Sequence, residues 1–338
     1  MNLLSVSILV PTLNSEKVLE ACLKSITNQD YPKNKLEIII ADGGSVDRTL
    51  LIAKKYHTKI YRNKLKTGEA GKAVALKHAK GELVALIDSD NILPEKDWLK
   101  KMTVPFANKK IIGSEPWEFS YQKEAGFIDR YCAMLGGNDP LCYFIGNYDR
   151  KSVLSQNWTG MDIPQVDHTA WLEIVLFGKN IPTIGANGTV LRRDIITREF
   201  SAGKYLFDID LLAHLAENNP VYFAKVKIGI IHQYCGSNIG KFVRKQKRRV
   251  KDYLFYKKVG ARSYPWQKQR KTGLIVFVLS CVSVIPLLLQ VIKGNSRKKE
   301  KAWLFHPLAC WITLYVYSTE VLLSLINTQE ASRRVWSQ

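Results

Sequence analysis

Gly81-Glu82-Leu83-Val84-Ala85-Leu86-Ile87-Asp88-Ser89-Asp90 is an unbroken apolar run that ends in two carboxylates one residue apart. Five consecutive apolar residues behind a glycine read as a strand buried on both faces, as in a sheet covered by helices. Ligands of an open parallel sheet gather at the carboxyl ends of its strands, so Asp88 and Asp90 stand where a ligand is expected. Carboxylates held this close repel each other unless a cation sits with them, and hard oxygen donors favour magnesium or manganese over zinc.

The flanking residues repeat the strand–helix alternation. Val6 to Val10 is a short apolar run. Behind the capping candidates Asn14 and Ser15, residues Val18, Leu19, Cys22, Leu23 and Ile26 recur at helical spacing. Ile38 to Ile40 leads into a Gly43-Gly44-Ser45 turn, a helix through Leu50 to Lys55, and a strand near Lys59 to Tyr61. An Ala-rich helix, Ala73 to Ala79, then precedes the Asp88 strand. The pattern predicts an α/β fold with a mostly parallel sheet and helices on both faces.

With 338 residues, 46% of them hydrophobic, the chain can build a large core, which excludes general disorder. Its net charge of +20 calls for an anionic partner: nucleic acid, acidic lipid or a phosphorylated substrate. Cys22, Cys132, Cys142, Cys235, Cys281 and Cys310 form no CxxC pair, so they read as buried thiols of a reducing compartment rather than a zinc site or disulfide framework. Met1 runs directly into the first strand without a basic start or cleavage site, and the first domain is expected on the cytosolic side.

Residues 106 to 200, rich in Trp, Tyr, Phe and Gly, are expected to form a loop-built, substrate-facing half. Lys241 to Lys258 interleaves Arg and Lys with apolar residues as a basic amphipathic segment. Thr272 to Ile292 is uncharged over 21 residues, which at 1.5 Å per residue reaches about 30 Å. Trp303 to Ile326 is similar and carries one acidic residue, Glu320. Both are expected in a membrane, as two transmembrane segments or as one re-entrant segment broken at Pro286 plus one transmembrane segment.

Three motifs in the first 95 residues resemble family 2 glycosyltransferases of the GT-A fold: Val6 to Asn14 their first strand and nucleotide loop, Ile40 to Thr49 their second-strand motif, and Gly71 to Glu82 the helix before their Asp-x-Asp strand. Gly43 departs from the second Asp of many members, and His78 from the usual Asn. The resemblance implies that Pro11, Thr12 and Asp42 line the base and ribose pocket, that Lys72 approaches the nucleotide, and that Asp90 holds a Mg2+ or Mn2+ ion with Asp88 beside it. Gly203 to Leu211 resembles the family's acidic motif, with Phe207 in place of the usual Glu. That makes Asp208 the general base toward the acceptor hydroxyl and Asp210 its neighbour.

Gly185 to Arg193 is similar to the family's Gly-rich strand at the donor sugar, with Gly188 letting backbone approach a ligand. Gln246 and Arg249 fit a Gln-x-x-Arg-Trp signature of membrane-bound polysaccharide synthases, with Val250 in place of Trp. The surrounding charge run reads first as an anchor to anionic membrane lipids, and second as a diphosphate site.

The expected organisation is a catalytic GT-A domain over 1–235, a basic interface segment over 236–271, membrane segments over 272–326 and a tail over 327–338. The expected activity is inverting, metal-dependent transfer from a nucleotide-sugar donor, UDP-linked first and GDP-linked next, to a lipid-linked or membrane-proximal acceptor at the cytosolic membrane face. A nucleotidyltransferase would want a phosphate-cradling Gly-rich loop after the first strand, where this chain has Pro11, Thr12, Leu13 and Asn14. A basic nucleic-acid binder leaves the carboxylates and apolar segments without a role, so no nucleic-acid partner is expected.

Overall fold

The computed structural model describes residues 3–199, 205–264 and 271–326. Strands β1 (Val6–Thr12), β2 (Leu36–Asp42), β3 (Lys59–Arg62) and β4 (Leu83–Leu86) form a parallel block in the order β3-β2-β1-β4. They are joined through α1 (Glu16–Thr27), α2 (Thr49–Lys55) and α3 (Gly68–His78). The two-residue pleat of each strand decides which helix it meets. Val6, Ile8, Val10, Leu83, Ala85 and Ile87 pack with Leu19, Cys22, Leu23 and Ile26 of α1. Leu9, Ile39, Ala41, Val84 and Leu86 pack on the other face with Ala73, Ala75 and Leu76 of α3. Truncating a fully buried side chain such as Leu23 costs about 2–5 kcal/mol, because its apolar transfer energy is lost and a cavity remains.

Past β4 the sheet changes direction. After the short β5 (Asn91–Ile92) and α4 (Trp98–Thr103), β6 (Ile111–Phe119) enters the middle of the sheet, followed by α5 (Phe127–Leu135) and α6 (Pro140–Ile145). Strands β7 (Gln165–Asp167) and β8 (Trp171–Leu176) lie at the edge, and β9 (Thr189–Arg192) runs antiparallel between β4 and β6. After α7 (Arg193–Glu199) and α8 (Asp208–Leu215), β10 (Val221–His232) pairs parallel with β6 and antiparallel with β8. The expectation of a loop-built 106–200 is therefore corrected by β6. Its pattern is hidden because Glu115 faces inward, where it meets Arg150 and the Lys225 ammonium, the latter at 2.6 Å with both side chains fully buried. Pro116 further disguises an interior strand.

The C-terminal part is helical: α9 (Ile239–Lys258), α10 (Lys271–Ser283), α11 (Ile285–Arg297) and α12 (His306–Ile326). The Asn238 side chain caps α9 by accepting from the Lys241 amide. The apolar run Thr272–Ile292 is not one straight helix. Its two halves bend by 96° at Val284, whose φ is 61°, with Pro286 in the first turn of α11. Residues Lys301–Ile326, a 3-10 turn plus α12, are by length and composition sufficient to cross a bilayer. All six cysteines are buried free thiols.

Candidate active site

A cleft of about 650 Å³ opens at the carboxyl ends of β1, β4 and β10. Pro11 and Thr12 line it from β1, Lys72 from α3, Asp88 and Asp90 from the turn after β4, His232 from β10, and Arg249 from α9. Asn91 folds that turn back by accepting the Asp88 amide on Oδ1 at 3.0 Å. One Asp90 oxygen lies 3.5 Å from His232 Nε2 and the other 3.4 Å from Lys245 Nζ. Burial opposes the Asp90 charge, yet His232 and Lys245 prevail and hold its carboxyl well below the usual range. Asp88 behaves oppositely: burial raises it, Lys72 opposes the rise, and the charges of Asp90 and Asp208 add to it.

These residues fit a divalent cation. The Oδ1 atom of Asn138 is buried without a hydrogen-bond partner, while its Nδ2 sits 3.2 Å from His232 Nδ1. The Asn138 amide can instead present Oδ1 to this nitrogen and accept from a protonated Nδ1. With a cation bound, that tautomer would offer it the Nε2 lone pair in place of the Nε2–H that otherwise faces Asp90, the arrangement a metal-ligating histidine adopts. Among the described residues no group of three His, Cys, Asp or Glu side chains is gathered for a metal. An ion held at Asp90 and His232 would take its remaining ligands from water and phosphate oxygens, as magnesium and manganese do.

From the cleft lining, Lys72 Nζ donates to Asp208 Oδ2 at 3.1 Å, just outside that lining, and lies 4.0 Å from Asp88 Oδ1. Burial works against the Lys72 charge, but Asp208 and Asp88 outweigh it and raise the ammonium above its usual range. Asp208 is the first residue of α8, and its Oδ1 accepts the Ile209 amide. Gly203 and Lys204 of the same motif lie outside the described residues.

Four expected site residues stand elsewhere. Asp42 does not line the cleft: its oxygens accept from Thr12 Oγ1, the Gly44 and Ser45 amides and Ser45 Oγ, so it shapes the turn beside the pocket. Gly188 has φ +87°, and a Cβ there would meet Ile230, Pro116 and Trp98. Its missing side chain serves core packing, and the neighbouring Asn187 lines the cleft instead. Asp210 is buried against Arg262 at 2.6 Å and accepts the Ser263 and Tyr264 amides. Gln246 is fully buried, donating to the Asn138 carbonyl and accepting from Arg249.

The basic helix is also placed differently from the lipid-anchor reading. Lys241, Arg244, Lys245, Arg248 and Arg249 recur at three- and four-residue spacing and all line the cleft. Phe242, Gln246 and Val250 bury the adjacent face and fix this orientation. Sequence reasoning missed His232 and Asn138. The only available signal was a histidine closing the apolar strand Val221–His232.

Residues 7–134 match the model of glycosyl transferase family 2. The poly(ribitol-phosphate) beta-N-acetylglucosaminyltransferase TarS of Staphylococcus aureus is 41% identical over 100 residues, covering 28% of this chain and 17% of that protein. The dolichyl N-acetyl-alpha-D-glucosaminyl phosphate 3-beta-D-2,3-diacetamido-2,3-dideoxy-beta-D-glucuronosyltransferase of Methanococcus voltae is 39% identical over 102 residues, covering 28% of this chain and 32% of that protein. The chain thus spans about a third or less of the length of these two relatives. In fold, it is similar to the mannosyltransferase PcManGT of Pyrobaculum calidifontis, with a TM-score of 0.53 and 14% identity over 95% of this chain and 88% of that one. The family match ends at α5, so Asn138, Asn187, His232 at the end of β10 and the cations of α9 enter the site outside it.

Proposed function

We propose that the chain is a divalent-metal-dependent glycosyltransferase that moves a sugar from a nucleoside-diphosphate donor to an acceptor hydroxyl, with inversion. The observation that carries this reading is the joining of two carboxylate sites by one lysine: Asp90 beside His232 at one end, Asp208 at the other, and Lys72 between Asp208 and Asp88. Asp90 and His232 would hold the cation, which when bound neutralises the departing diphosphate. Pro11 and Thr12 form the wall at which the nucleoside rests. Lys241, Arg244, Lys245, Arg248 and Arg249 offer N–H donors to phosphate oxygens. Asp208, oriented by Lys72, takes the proton from the acceptor hydroxyl as it attacks the anomeric carbon opposite the leaving group.

A lipid-linked or membrane-proximal acceptor fits the apolar helices α10 to α12 beside the site. It also fits the Methanococcus voltae relative, named for action on a dolichyl-linked phosphate sugar. UDP-linked donors come first for test and GDP-linked donors second.

The test is to incubate the full chain in detergent with Mn2+, a panel of UDP- and GDP-sugars and polyprenyl-phosphate-linked acceptors. Nucleoside diphosphate should be released with one donor and should fall to background in chelator. Release of pyrophosphate instead would assign a nucleotidyltransferase. No turnover with any donor, together with no metal-dependent nucleotide binding, would remove the reading.

A further inference from the structure

Each of the last three helices exposes apolar side chains. A stripe runs through Ile275, Leu279 and Val282 on α10, through Ile285, Leu288 and Ile292 on α11, and through Leu308, Trp311, Tyr315, Leu322 and Ile326 on α12; the stripes are widened by Leu274 and Val276, by Leu289, and by Val321, Leu323 and Leu325. The stripe residues recur at three, four and seven positions, the spacing of a stripe along one side of a helix. The stripes belong to one body. Phe277, Cys281, Leu287 and Cys310 form a shared core between the helices, and Trp311 Nε1 donates to the Cys281 carbonyl at 2.9 Å.

The opposite side of α12 is tied to polar parts of the protein along its length. His306 meets the Tyr131 hydroxyl at 2.8 Å, Tyr317 donates to Asp139 at 2.6 Å, and Glu320 pairs with Lys247 of α9 at 3.1 Å. At 1.5 Å per residue, Glu320 lies about 21 Å from the start of α12 and about 9 Å from its end. A membrane-crossing α12 would therefore draw the Lys247 side chain, 56% exposed, about 9 Å inside the end of the span, where a charge costs up to about 2.5–3.5 kcal/mol.

Charge points the same way. Residues 271–326 hold six Lys and Arg against two acidic residues. Both acidic residues face inward: Glu320 toward Lys247, and Glu300 toward Arg130 and the Tyr121 hydroxyl. Lys271, Lys293, Arg297, Lys299 and Lys301 are exposed near the ends of the apolar stripes.

We propose that the outer faces of α10, α11 and α12 form one surface that seats in a single leaflet of an anionic bilayer, with α12 lying in the membrane plane rather than crossing it. The 96° bend at Val284 lets two short helices share that plane. Burial of each stripe supplies the apolar energy, and the cations meet lipid phosphates. This reading is independent of the transfer chemistry.

The experiment uses the full chain with a bimane label at Leu308→Cys, Tyr315→Cys or Leu322→Cys, in vesicles of phosphatidylcholine and phosphatidylglycerol. Lipids carrying nitroxide high on the acyl chain should quench all three labels alike. A label at 315 that is deepest, with Ile326→Cys reactive only from the far side of the vesicle, would show a crossing helix and overturn the proposal. In parallel, Leu288→Glu with Ile292→Glu changes two exposed residues and should lower vesicle binding about tenfold or more at an unchanged melting temperature. Unchanged binding would show that this face is not the seat. If the chain instead forms dimers without lipid, the same substitutions dissolve them and vesicles do not compete, the surface serves a second copy and the proposal fails.

Discussion

The Lys72 ammonium donates to Asp208 at 3.1 Å, joining side chains 136 positions apart in the chain. With Asp88 also 4.0 Å away, this buried lysine screens two carboxylates from each other. Lys72→Met should lower stability by about 3 kcal/mol near neutral pH, the usual scale for breaking a buried pair. Asp88 already has a raised folded-state value, and a raised carboxylate favours the folded state at low pH and loses that contribution as pH rises through it. The deficit should therefore shrink on acidification toward about pH 5. Denaturant melts of both proteins from pH 5 to pH 8 provide the check, and a deficit independent of pH would count against the screening role.

Asp208 and Asp210 should respond differently to the same change. Asp208→Asn is expected to reduce turnover by about two to four orders of magnitude, the scale of a positioned base, with nucleotide affinity preserved. Asp210→Asn weakens a buried pair with Arg262 and should cost about 2–4 kcal/mol of stability while turnover per folded molecule is retained. Turnover, nucleotide affinity and melting measured for both variants separate the two roles. A near-normal Asp208→Asn would end its assignment as base.

Metal affinity should depend on Asp90, His232 and the amide behind them. Asp90→Ala and His232→Ala should abolish Mn2+ binding measured by the resonance of free ion in the presence of nucleoside diphosphate. Asn138→Leu should weaken it about ten- to hundredfold through loss of the His232 tautomer partner. Chelator should stop turnover and added Mn2+ should restore it. Unaltered Mn2+ affinity in all three variants would move the metal elsewhere.

The placement of the basic helix predicts a separation of donor binding from membrane binding. Changing Arg244 and Arg248 together to Ala should weaken nucleoside diphosphate binding about tenfold, from loss of charge-assisted hydrogen bonds, and leave vesicle binding nearly unchanged. The reverse result would return α9 to a lipid-anchor role.

What the sequence by itself determined is the parallel half of the fold and the place of two carboxylates at its rim. The apolar runs Val6–Val10 and Leu83–Ile87 need two covered faces, the intervening helical patterns supply them, and Asp88 and Asp90 follow at a strand end. These signals are local, because periodicity is a property of neighbours in the chain. Tertiary structure alone decided which polar residues converge. Glu115 hid β6 because its charge is neutralised by Arg150 and Lys225 from distant segments, and Asp42 was drawn into its own turn by four donors that no spacing announces. His232 reaches Asp90 because β10 runs beside β6 and closes at the mouth of the cleft, and Asn138 lies behind it through the fold of α5 and α6. The direction of α9 was likewise undecided in sequence, where a cation facing phosphate and a cation facing lipid read the same. Packing of Phe242, Gln246 and Val250 set the rotation of that helix, and rotation chose its partner.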